Sequence, residues 1–156
     1  MESSEAQDIH SQGRILAIDF GKVRIGLAVS DALSLTAQGL PTLMRTNKEA
    51  DFRHLEVLAA EWAVTRVIVG HPIGAAGEET EMSRRVVRFA EELQARLALP
   101  FELWDERMTS LEADRSLCES NMGGKRRREV RDRVAAQILL QSYLDGRAYR
   151  RTTIGA

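Results

Sequence analysis

Three acidic positions of the chain follow apolar stretches, where exposure to water explains a carboxylate poorly. Asp19 comes near the end of the run from Ile15 to Phe20, and Asp105 and Glu106 follow a second short apolar run. An unpaired carboxylate in such a place is costly to bury, so its charge calls for a proton or a cation nearby. These acids are therefore the first candidates for chemistry.

A further acid, Asp132, lies in a helical pattern near the C-terminal end of the chain. It occupies the same helix face as apolar residues three or four positions apart, namely Ala135, Ala136, Leu139 and Tyr143. This spacing predicts that the Asp132 side chain points inward. An acid near a helix start is also favoured by the helix dipole, and the sequence leaves that alternative open.

Carboxylates that converge impose a definite chemistry. At about 4 Å, two of them repel by roughly 4 kcal/mol at an effective dielectric near 20, so they share a proton or bind a cation. The chain has a single cysteine, which excludes an internal disulfide and a cysteine-based zinc site. Oxygen ligands favour Mg²⁺ or Mn²⁺, the ions that activate water in phosphodiester hydrolysis. The acids therefore predict a metal-dependent nuclease.

The charge distribution favours the same interpretation. A net charge of -1 argues against a nucleic-acid partner, but nine Lys/Arg and three acids between Gly123 and Arg151 give a local +6, leaving -7 elsewhere. This basic segment begins just before Asp132 and would bring a phosphate backbone to the acids. The candidate substrate-binding residues are Lys22, His71, Arg107, Lys125, Arg126, Arg127 and Arg128. A lone histidine after a strand is more often structural, so His71 is the weakest of them.

Hydrophobic periodicity predicts the elements that position these residues. Three strands with short connections favour an antiparallel meander, and two strands that alternate with helices favour parallel pairing. The fold class is therefore α/β, a five-stranded mixed sheet with helices on both faces. The predicted strands cover 15–20, 24–30, 35–44, 66–70 and 101–104, and the helices cover 48–63, 80–97, a short stretch from Thr109, and 129–148.

Length and composition predict one domain. The 156 residues hold no apolar run near the ~20 that a membrane-spanning helix needs, and the N-terminus does not look like a signal peptide. We expect a disordered leader over 1–13, one domain over 14–148 and a basic tail over 149–156. We also expect a cytoplasmic protein with no membrane partner.

Four ordered segments resemble the YqgF/RuvX family. They are Ala17-Ile18-Asp19-Phe20-Gly21, Ile68-Val69-Gly70-His71-Pro72, Asp105-Glu106-Arg107-Met108-Thr109, and the stretch from Asp132 to Leu140. Members are similar to ribonuclease H and to the Holliday junction resolvase RuvC, and are described as candidate nucleases for the 5′ end of pre-16S rRNA. The resemblance covers about 14–146 and implies a ribonuclease H-like nuclease domain.

The resemblance also implies roles for the acids. It makes Asp19, Glu106 and Asp132 the catalytic, metal-binding triad, whereas strand phase alone leaves open which of Asp105 and Glu106 faces Asp19. Asp105 is kept as a further catalytic candidate. His71 departs from the family pattern, where a large apolar residue is expected before the proline.

The expected substrate is nucleic acid, either structured or single-stranded RNA, or junction or single-stranded DNA. Processing of the 5′ end of pre-16S rRNA is the leading function. One alternative is a Holliday junction resolvase or DNA-repair nuclease acting as a dimer, since paired incision needs two copies. Another is a non-catalytic nucleic-acid-binding module in ribosome assembly or transcription. The sequence leaves both monomer and homodimer open.

Overall fold

A computed structural model describes residues 13–108 and 124–154. Its strands and helices alternate in the order that the periodicity predicts. The strands are β1 (Arg14–Phe20), β2 (Arg24–Ser30), β3 (Ala37–Met44), β4 (Val64–His71) and β5 (Phe101–Asp105). The helices are α1 (Lys48–Glu61), α2 (Glu81–Leu97) and α3 (Gly124–Ile154), and a 3-10 turn, Glu106–Met108, follows β5.

The five strands form one mixed sheet in the order β3-β2-β1-β4-β5. β1 and β2 pair antiparallel, as do β2 and β3, whereas β4 pairs parallel with β1 on one side and with β5 on the other. The prediction of an antiparallel meander joined to two parallel strands is confirmed. β1 lies at the centre, which agrees with its apolar character on both sides.

Each face of the sheet supports its own core. Leu16 and Ile18 of β1 belong to a cluster with buried residues of α1 and α2, such as Phe52 and Phe89. The alternating residues Ile15 and Ala17 belong instead to a cluster with buried residues of α3. Because side chains of a strand alternate between faces, Asp19 shares the α3 side with Ala17, and Phe20 shares the α1 and α2 side with Ile18.

Local capping signals agree with the helix starts. The Asn47 side chain accepts a hydrogen bond of 2.9 Å from the amide of Ala50 and caps α1, which begins at 48 as predicted. Thr80 and Ser83 form a reciprocal capping box at the start of α2. No helix within the described ranges is long and apolar enough to cross a membrane.

The last helix differs from its prediction. α3 begins at Gly124 and extends to Ile154, so the basic run Lys125 to Arg128 and most of the predicted tail are helical. Arginine and lysine are good helix formers, and no proline interrupts this stretch, so the chain has no reason to stop near 129 or 148. The predicted leader, apart from Gly13, and the predicted helix from Thr109 lie outside the described residues.

Candidate active site

Asp19 and Glu106 meet on the α3 side of the sheet. The Glu106 carboxyl group donates a hydrogen bond to Asp19, and Asp132 adds its negative charge to the surroundings of Asp19. Burial, with Asp19 as the next cause, raises the pKa of Glu106 to about 8, and burial also raises the pKa of Asp19. Near neutral pH the two carboxyl groups therefore share a proton.

Two glycines on the neighbouring strands make room for this cluster. Gly26 pairs with Asp19 across β1 and β2, and a Cβ at Gly26 would lie 2.5 Å from the Asp132 carbonyl oxygen. On the other side, a Cβ at Gly70 would lie 2.4 Å from Glu106 Oε1. The backbone of α3 and the Glu106 side chain can approach the sheet because both positions lack a side chain.

Asp132 points inward, as its position on the helix predicts, and its carboxylate forms an ion pair. Arg24 Nε of β2 donates to Asp132 Oδ2 at 2.6 Å, and the two side chains are 27% and 20% exposed. Sequence reasoning missed Arg24 as a site residue. The available signal was its phase, because Arg24 shares a strand face with Gly26 and Ala28.

Asp105 does not join the pair of Asp19 and Glu106, although its negative charge contributes to the raised pKa of Glu106. Its carboxylate accepts hydrogen bonds from Arg107, whose Nη2 approaches Oδ2 at 2.6 Å, and this pairing lowers the pKa of Asp105. His71 is its register partner on β4 and contributes to the same shift. Arg107 also donates to the Ala75 carbonyl at 3.2 Å. The structure therefore brings Glu106 to Asp19 and leaves Asp105 with Arg107 and His71.

The remaining predicted substrate residues lie in two places. Lys22 is exposed in the turn after β1, on the rim of a groove formed by α1 and α2. Lys125 to Arg128 lie at the start of α3, where Arg126 and Arg128 are exposed. Arg128 is one helical turn before Asp132, so both lie on one row of the helix. The basic run thus leads along α3 towards the carboxylates.

The donor chemistry of the cluster suits a hard cation. Asp19, Glu106 and Asp132 offer carboxylate oxygens, the ligands preferred by Mg²⁺ and Mn²⁺. Two of them already share a proton that a cation would replace. Among residues 13–108 and 124–154, no three Asp, Glu, His or Cys side chains are arranged to hold a metal ion, and Asp132 is engaged by Arg24. Cation binding by all three acids therefore requires their side chains to rearrange.

Comparison with known proteins places the chain in a family. The sequence profile of RuvX, described as a Holliday junction resolvase, matches residues 13–146. This chain belongs to the RuvX family. A relative from Koribacter versatilis, named as a candidate pre-16S rRNA nuclease, is 45% identical over 139 residues, covering 89% of this chain and 91% of its own. A relative of the same name from Myxococcus xanthus is 44% identical over 132 residues, covering 85% and 87%.

Two solved structures share the fold of this chain. RuvC from T. thermophilus, in complex with a Holliday junction substrate, matches with a TM-score of 0.55 at 13% identity over 87% of this chain and 96% of its own. The Holliday junction resolvase of fowlpox virus matches with a TM-score of 0.50 at 12% identity over 85% and 99%. The ribonuclease H-like fold expected from the resemblance is therefore confirmed.

Proposed function

We propose that this RuvX-family chain is a nuclease that hydrolyses phosphodiester bonds at the cluster of Asp19, Glu106 and Asp132. The proposal rests above all on the hydrogen-bonded pair of Asp19 and Glu106, which is half-buried at the end of the central strand beside a third acid. Such crowding of carboxylates lowers stability, and functional sites are where such costs are found. The names of the family and of its relatives support the same activity.

The three acids would hold Mg²⁺ or Mn²⁺. When bound, such an ion lowers the pKa of water and stabilises negative charge on phosphate oxygens. The residues of this chain then have distinct tasks: Asp19 and Glu106 give up their shared proton, and Asp132 releases Arg24. Arg24 becomes available to a phosphate oxygen.

The proposed substrate is RNA, and the proposed role is processing of the 5′ end of pre-16S rRNA, because the curated relatives carry that name. The acidic cluster reads no base, so substrate choice rests on the residues that surround it. A second candidate, resolution of a four-way DNA junction by a dimer, is favoured by the description of the family profile. Paired incision would need two copies of the chain.

A cleavage panel tests this function. Structured RNA carrying the 5′ end of pre-16S rRNA, single-stranded RNA, single-stranded DNA and a four-way junction are incubated with the protein and Mg²⁺ or Mn²⁺. We expect cleavage of the structured RNA, and a loss on the order of 10³-fold in Asp19→Asn because a ligand and half of the carboxyl pair are gone.

Two further variants complete the panel. Asp145→Asn makes the same chemical change at an exposed residue of α3 and should leave cleavage intact. Asp105→Asn should retain most activity, because Asp105 faces Arg107 rather than Asp19. Full cleavage by Asp19→Asn would overturn the mechanism, and cleavage confined to the junction would favour the second candidate.

A further inference from the structure

A groove lies on the side of the sheet opposite the carboxylates. It has a volume of about 340 Å³ and lies between the end of β1 and the helices α1 and α2. Among the described residues, its lining is basic and aromatic, with five Lys/Arg, three Phe and one acid. This concentration of positive charge stands on the part of the chain whose net charge is negative.

Three of the five cations have no ionic partner in the described part of the chain. Lys48 is paired with Glu92, and Arg45 donates to two backbone carbonyls of the β1–β2 turn and lies near the buried Asp51. The other three, Lys22, Arg85 and Arg88, are exposed around the same groove. Positive charges held together without counter-charges attract anions, and a cleft strengthens this attraction.

The aromatic rings at the floor of the groove are not available to stack on bases. The Phe20 and Phe89 rings are 4.4 Å apart between centroids, and Phe52 lies 5.6 Å from Phe89. Phe52 and Phe89 are buried, and the guanidinium of Arg45 covers Phe20 at 4.6 Å from the ring centroid. The rings are therefore committed to packing, and the groove offers cations rather than a stacking platform for bases.

The groove and the acidic cluster lie at the same end of β1, on opposite sides of the sheet. Phe20 follows Asp19 directly, and alternation along β1 places one side chain on each side of the sheet. On α2, Arg85 and Arg88 are three residues apart, which sets their Cβ atoms about 5–6 Å apart on one helix face. Because the three unpaired cations stand on two separate elements, the β1–β2 turn and α2, they suit successive phosphates of a strand better than one small anion.

We propose that this groove binds the sugar-phosphate backbone of the nucleic-acid substrate, away from the bond that is cut and without reading its sequence. The proposal rests on the nuclease function proposed above. A strand that passes over the end of β1 would then contact the acids on one side of the sheet and the cations of the groove on the other.

Binding of a long and a short single-stranded RNA, measured by fluorescence anisotropy over a range of salt concentrations, tests the proposal. The variant is Arg85→Ala/Arg88→Ala, made in the Asp19→Asn background so that no substrate is cut. We expect affinity for the long RNA to fall on the order of tenfold, and the slope of log K against log salt to flatten by about 0.7 for each lost contact. The short RNA should lose less.

Arg53→Ala/Arg84→Ala is the matched control. It removes the same charge from the same two-helix region, at exposed residues outside the groove whose surface ion pairs contribute little to stability. Alanine favours helices, so all these variants should fold, which circular dichroism checks. Equal losses in the control, or unchanged binding in Arg85→Ala/Arg88→Ala, would overturn the groove as a backbone site.

Competition with inorganic phosphate and with a nucleoside monophosphate separates a strand from a small anion. We expect each to displace the long RNA only weakly, whereas tight, saturable binding of the small anion at the groove would overturn the proposal. The two functional claims fail separately. RNA binding without cleavage by the wild type overturns the nuclease and leaves the groove standing, whereas cleavage with no effect of Arg85→Ala/Arg88→Ala does the reverse.

Discussion

At the end of β1, the two faces of the sheet carry clusters of opposite charge. On the α3 face, Asp19 and Glu106 lie so close together that they share a proton. On the α1 and α2 face, beginning at Phe20, three of the five cations around a groove have no ionic partner among the described residues. Neighbouring residues of one strand thus lead to a site that needs a cation and a site that needs an anion. Two unbalanced charge clusters this close indicate ligands more strongly than either does alone.

A side chain that fills the space between β2 and α3 on the acidic face should damage the protein most. In Gly26→Ala the new Cβ would lie 2.5 Å from the Asp132 carbonyl oxygen, and backbone cannot yield as a flexible side chain can. We expect a loss of about 3 kcal/mol in the free energy of unfolding and a loss of cleavage, because α3 must move away from β2. Chemical denaturation and the cleavage assay measure the two effects.

Gly124→Ala is the control for this variant, since a Cβ there meets nothing within 4 Å. It should leave stability within about 0.5 kcal/mol of the wild type. A Gly26→Ala protein of full stability would show that α3 does not approach the sheet this closely, and the acidic cluster would lose its geometric basis.

The proton that Asp19 and Glu106 share should make the stability of the protein depend on pH. Because the pKa of Glu106 is raised from 4.5 to about 8 by folding, its protonated form contributes stability below about pH 4.5, and this stability is lost as the pH rises through 8. In metal-free buffer, Glu106→Gln should remove this loss. At pH 8 its free energy of unfolding should exceed that of the wild type by on the order of 2 kcal/mol. It should also lose cleavage.

Denaturation with urea between pH 4.5 and pH 8, in the presence of a chelator, measures this difference. Asp105→Asn is the comparison, because Arg107 lowers the pKa of Asp105 and the sign is reversed: its contribution is present above the ordinary pKa of aspartate and is lost as the pH falls. Parallel stability profiles for the wild type and Glu106→Gln would contradict a strained carboxyl pair.

Most of the sheet could be predicted from periodicity, but the choice between Asp105 and Glu106 could not. Phase along β5 groups Glu106 with Trp104, and which face that is depends on where α3 packs. The structure shows Trp104 against Tyr143 of α3, with ring centroids 5.2 Å apart, so Glu106 faces the same side as Asp19. This contact joins distant parts of the chain, which local patterns do not record.

The pairing of Arg24 with Asp132 escaped prediction for the same reason, since the two residues are 108 positions apart. The extent of α3 was missed on different grounds. The prediction begins this helix at 129, after the basic run, although arginine and lysine continue a helix readily. Small residues gave the best unused signal: Ala17, Gly26 and Ala28 make one sheet face shallow, which suits close approach of a helix.

The smallest expected change is on the basic face of the sheet. Glu92 is the one acid among the described residues that line the groove, and it pairs with Lys48. Glu92→Gln would release Lys48 and add one positive charge to the groove. We expect RNA to bind about twofold to threefold more tightly, because an exposed ion pair is worth under about 1 kcal/mol, and the salt slope to steepen by at most about 0.7.

Glu91→Gln makes the same change one residue earlier on α2, outside the lining of this groove, and separates local from general charge. If the two variants tighten RNA binding equally, the gain comes from net charge alone and the groove has no special place in it. If only Glu92→Gln does so, the cations around Phe20 contact the strand directly. The same substitution should leave the stability profile of the acidic face unchanged, because the sheet lies between the two clusters and neither shares a side chain with the other.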